Sequence, residues 1–104
     1  MFRAKNEVIE LPTSAEISEI CTLYLQKFGK SHQIKKLSEE AAELTLAVIR
    51  LVELPNSVEC KVNLIDELAD VEIMLVQARM MFGNSDVDRR VAFKVKRMIE
   101  RLKE

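Results

Sequence analysis

Two pairs of carboxylates, Glu40 with Glu43 and Glu67 with Asp70, are each spaced i, i+3 within runs of apolar residues at helical period. On a helix whose apolar stripe is Leu37, Ala41, Leu44, Val48 and Leu51, Glu40 lies about 60° and Glu43 about 120° off the stripe, on one flank. Glu67 and Asp70 take the same offsets from a stripe through Leu64, Leu68, Val71, Leu75, Ala78 and Phe82. Helices packed through these stripes as an antiparallel hairpin would bring four carboxylates together beside the seam. Four such groups cannot all stay ionised without a cation, because each raises the pKa of its neighbours. An all-oxygen donor set, with no cysteine or histidine at ligand spacing, favours Mg2+, or Mn2+, over zinc or copper. The only histidine, His32, is not part of a Glu-x-x-His pair, which argues against a carboxylate di-iron site. A single acidic i, i+3 pair usually marks a solvated face; the matched offsets of two pairs lift these four above that reading. Glu39, nearly opposite the stripe, ranks below them as a ligand.

The elements that must hold these groups are marked by sparse punctuation. Two glycines and two prolines are present, each where the apolar period breaks. Pro12 and a Thr13-x-x-Glu16 capping box open a first helix with the stripe Ile17, Ile20, Cys21, Tyr24 and Phe28, closed by Gly29. Ser31 is the expected cap of a second helix, from about His32 to Glu53, which Leu54-Pro55-Asn56 stops. Ser57 starts a third, ending at Gly83; Asn84 and Ser85 turn the chain into a fourth, about Asp86 to Leu102, with Val91, Val95, Met98 and Leu102 as its stripe. Val8 to Leu11 is too short to classify. The third helix also carries Val62, Ile65, Ala69, Ile73, Val76 and Met80 on the side away from its main stripe. A helix apolar on nearly every face needs cover on two sides, so a homodimer or homotetramer with this helix at or near the interface is expected.

With 104 residues the chain has room for one all-α, four-helix, bundle-like domain over 1–104, of which 1–12 read as an N-terminal extension. Sixteen basic against 17 acidic residues leave a net charge of -1, so no positive field is available to hold nucleic acid. Cys21 and Cys60 sit among apolar residues and read as buried thiols of a reducing compartment. Met1 to Leu11 lacks the apolar run of a secretion signal and no segment suits a membrane span, so a soluble, cytoplasmic protein is expected. The five methionines read as filling for core and interface.

The stretch Lys36-Leu-Ser-Glu-Glu-Ala-Ala-Glu-Leu44, followed by Asp66-Glu-Leu-Ala-Asp-Val71, resembles the E-E-x-x-E and E-x-x-D signature of the MazG-like, all-α nucleoside triphosphate pyrophosphatases. Phe28-Gly29 upstream adds to the likeness, which covers His32 to Gly83. The resemblance implies hydrolysis of a nucleoside triphosphate, or its deoxy form, to the monophosphate and pyrophosphate, in cleansing of the nucleotide pool. It also implies that Glu40, Glu43, Glu67 and Asp70 hold Mg2+ and carry the catalysis, one of them accepting a proton from water. Lys36, one turn before Glu40, and Lys94, Arg97 and Arg101, along one face of the fourth helix, are candidate phosphate contacts. A solvated basic face near a helix C-terminus explains the last three equally well. Gln33 and His32 are candidate contacts to base or ribose. The chain lacks tryptophan, so the aromatic platform of some relatives is missing or supplied by Phe28 or Phe82. Phosphoribosyl-ATP pyrophosphatase is the nearest enzyme rival, and a non-catalytic helical interaction module the rival from another class.

Overall fold

The first helix starts as its spacing requires. The Thr13 hydroxyl accepts from the Glu16 backbone N–H at 3.1 Å, and the Glu16 carboxylate accepts from the Thr13 N–H at 2.8 Å. The computed structural model describes residues 10–104, which form four α-helices and no strand: α1 (Ser14–Phe28), α2 (Lys30–Glu53), α3 (Val58–Phe82) and α4 (Asn84–Leu102). Residues 1–9, with Val8 and most of the N-terminal extension, lie outside the described residues. No helix among the described residues is long and apolar enough to cross a membrane.

Single glycines make two of the three junctions. The Gly29 N–H donates to Leu25 O, closing α1, while the Gly29 carbonyl accepts from the Gln33 N–H, opening α2. Gly83 links α3 to α4 in the same way, through Arg79 O and the Val87 N–H. At φ 87° and 111° both occupy backbone space that side chains disfavour. One residue ends a helix and begins the next, and no side chain caps the N-terminus of α2 or α4. Ser31 therefore caps nothing, and Asn84 and Ser85, expected as a turn, form the first turn of α4. At the remaining junction Ser57 is the cap, its hydroxyl accepting from the Cys60 N–H at 3.1 Å.

Helices α2 and α3 form the main packed pair; α1 lies against α3 and, less extensively, α2, while α4 touches α3 alone. Their inward faces take only half of each apolar stripe: Leu37, Leu44 and Leu51 on α2 and Leu64, Val71 and Ala78 on α3 are half-buried, whereas Ala41 and Val48 of the α2 stripe are exposed. On α2 the fully buried positions are Gln33, Glu40 and Ala47, two turns apart, and on α3 they are Met74 and Gln77. Leu68, Leu75 and Phe82, read as the main stripe of α3, are exposed, as are Val62, Ile65 and Ile73 on its other side. The apolar core reduces to Cys21, Ala47 and Met74 among the fully buried residues. An accessible surface of 8581 Å² far exceeds the roughly 6,000 Å² of a closed monomer of this mass. The single chain is thus an open arrangement of helices around a partly polar seam.

A Cβ on Gly83 would sit 2.9 Å from Asp86 Oδ2, on backbone already at positive φ. Gly83→Ala should therefore lower unfolding free energy by about 1 kcal/mol or more. Urea titration followed by circular dichroism measures it, and an unchanged midpoint would show that the junction carries no such constraint.

Candidate metal centre

Three carboxylates meet where the buried faces of α2 and α3 cross. Each of Glu40, Glu67 and Asp70 offers an oxygen within 4.8 Å of the others. Glu40 is 6 % exposed and belongs to the buried line of α2, not to its flank. Glu67 is half-buried, and Asp70 opens toward solvent. Of the four expected residues the structure clusters these three. Glu43 is exposed and stands close enough to Glu67 to raise its carboxyl pKa, outside the three. Glu39 is exposed, and its part in the cluster is confined to a distant attraction on Lys36.

The electrostatics are those of a site short of positive charge. Desolvation first, then repulsion from and hydrogen bonding with Glu43, and then repulsion from Asp70 and Glu40, raise the Glu67 carboxyl above its ordinary pKa. Asp70 is raised likewise, by desolvation and then by Glu40 and Asp66. Among the described residues the cation paired with the cluster is Lys36, whose ammonium lies 3.2 Å from Glu40 Oε1. That bond raises the Lys36 pKa, and the bridge satisfies one oxygen of Glu40 only. Glu40 Oε2 and Glu67 Oε2 are buried without any hydrogen-bond partner. Buried acceptors without donors are costly, and a divalent cation is the group that satisfies both at once. The residues present therefore fit a hard metal ion.

The other expected contacts divide between two places. Lys36, Gln33, His32 and Phe28 line a cleft that runs from Glu40 and Asp70 toward α1. Lys94, Arg97 and Arg101 line a separate hollow on α4, which has no contact with α2. Within one chain they do not line the cleft beside this cluster. Phe82 is also elsewhere, under the Lys30 ammonium at 5.2 Å. Gln77 escaped the sequence reading, although it is a lone amide in the apolar run Val71–Met81, seven residues after Asp70 and so on the same face.

Because Glu67 and Asp70 ionise less readily folded than unfolded, the native state holds the extra protons at and above their ordinary values of 4.5 and 3.8. Their contribution therefore lowers stability as pH rises through that window. In EDTA the melting temperature should fall more steeply with rising pH for the wild type than for Asp70→Asn, and the variant should melt higher near neutrality. Parallel profiles from differential scanning fluorimetry would contradict this account.

No model of a known protein family matches the chain, and neither does any curated protein or solved structure with which it was compared.

Proposed function

We propose that the chain is a Mg2+-dependent nucleoside triphosphate pyrophosphohydrolase, with Mn2+ as a workable substitute, acting on the nucleotide pool of the cytoplasm. The observation that carries this reading is the Glu40, Glu67 and Asp70 cluster with two buried, partnerless carboxylate oxygens, opening into a cleft large enough for a nucleotide. Its support from sequence is the resemblance of Glu39 to Glu43 and Glu67 to Asp70 to the MazG-like signature.

In this reading Glu40, Glu67 and Asp70 hold the metal, and Glu43 flanks it. When bound, a divalent ion there offsets phosphate charge and acidifies a coordinated water. Glu43, outside the three and open to solvent, is the carboxylate free to accept a proton. Lys36 lines the cleft and pairs with Glu40, which places its ammonium where it would bind a phosphate oxygen. The outward apolar faces of α3 and α4, with Val62, Ile65, Val91, Val95 and Met98 exposed, fit a homodimer or homotetramer. In such an assembly the basic face of α4, including Lys94, Arg97 and Arg101, has a route to phosphate that the single chain lacks.

A panel of nucleoside triphosphates together with phosphoribosyl-ATP, assayed for pyrophosphate, tests the activity. Triphosphates should release pyrophosphate with Mg2+ and not with EDTA. Asp70→Asn should stay helical yet lose at least about 100-fold in turnover, as disturbed metal sites do. Turnover of phosphoribosyl-ATP alone would move the assignment to its rival, and no release from any substrate would favour a non-catalytic module. Light scattering after size exclusion should show more than one chain per particle; a single chain would overturn the assembly.

A further inference from the structure

The cleft beside Glu40 and Asp70 has about 520 Å³ of room, within the range of small-molecule sites. Its wall away from the carboxylates is aromatic. Phe28 stacks on His32 with centroids 5.3 Å apart and planes at 23°, and Tyr24 leans on Phe28 at 5.4 Å and 45°. Apolar side chains of Ile20, Ile73 and Met74 also line it. Such surfaces suit the faces of a flat ring.

Also lining the cleft is a polar pair that links α2 to α3 and takes no part in the metal cluster. Gln33 and Gln77 are each 3 % exposed, and Gln33 Nε2 donates to Gln77 Oε1 at 2.7 Å. That bond turns the other end of the Gln33 amide toward His32, placing Gln33 Oε1 2.7 Å from His32 Nδ1. An amide oxygen only accepts, so Nδ1 carries the proton. In a neutral imidazole the remaining nitrogen, Nε2, is then a lone-pair acceptor. No other hydrogen bond of the ring occurs among the described residues.

We propose that this cleft takes an amino-bearing nucleobase, and that Gln77, acting through Gln33, positions His32 so that Nε2 accepts from the exocyclic amino group. Adenine and cytosine meet that acceptor with a donor. Hypoxanthine and uracil present a carbonyl at the same edge, setting acceptor against acceptor and leaving both without a partner. His32 is the contact to the ring, and Gln77 is a positioning residue. The inference rests on the nucleotide reading above and names the base class that the same site selects.

Unphosphorylated nucleosides test it apart from metal and turnover. Adenosine against inosine, and cytidine against uridine, are titrated into the full chain in EDTA and followed by 15N-resolved chemical shifts. His32 is the only histidine, so its ring signals identify themselves and report the tautomer in mildly alkaline buffer. The expected result is a proton on Nδ1, shifts at His32, and binding of the amino member of each pair tighter by about fivefold or more. Gln77→Leu should move the proton toward Nε2 and abolish the preference. A wild-type proton on Nε2, equal binding within both pairs, or no nucleoside binding overturns the proposal; should Gln77→Leu not fold, these wild-type measurements decide alone. Loss of the triphosphatase reading with the amino preference intact leaves this site standing as a base-binding cleft, whereas active hydrolysis without the preference sinks this inference and spares the hydrolase.

Discussion

A carboxylate withdrawn from water between two helices must find a cation, find donors or give up its charge, and Glu40 has only half of what it needs. Lys36 engages one oxygen from one turn earlier on the same helix. The other oxygen is buried without a donor among the described residues, as is one oxygen of Glu67 across the seam. An apolar residue at position 40 would pack there without this conflict. The arrangement therefore holds unfavourable charge in readiness, and a divalent ion is the species whose charge and coordination number relieve it.

The same seam shapes the rest of the chain. With Gln33 and Glu40 on the buried line of α2, and Gln77 on that of α3, the inside of the helix pair is partly polar and its apolar core is small. The leucines and valines that such helices need are displaced outward, onto the exposed faces of α3 and α4. A chain built this way holds its site together by hydrogen bonds and ion pairs, and leaves hydrophobic burial to surfaces that single-chain packing does not close.

The polar seam also brings charge, amides and a ring to one cleft. Glu40 and Asp70 lie at one end of the cleft and the Phe28 and His32 rings line its other wall, with Gln33 bonded to both His32 and Gln77. Within the amide pair, Gln77 fixes the orientation of Gln33 and Gln33 that of His32, which is how a short helical chain can present defined donors and acceptors without a rigid sheet behind them.

The sequence by itself determined the four helices, their glycine and serine junctions to within two residues, and the acidic pairs of α2 and α3. These are properties of one helix at a time: period, capping chemistry and angular spacing are all local. It did not determine which side of each helix turns inward. Angular offsets are measured around one axis, whereas the contact line between two helices depends on how side chains of both interdigitate. Only alternate members of each apolar stripe accordingly face inward, Glu40 lies at the seam and not on the flank its angle predicts, and Gln77 acquires meaning only opposite Gln33. Tertiary structure alone decided which of the four carboxylates expected together form the close cluster, Glu40, Glu67 and Asp70 with Glu43 outside it, and that Lys94, Arg97 and Arg101 line a different hollow in the single chain. These are relations between residues on different helices, and only packing sets the distance across the gap.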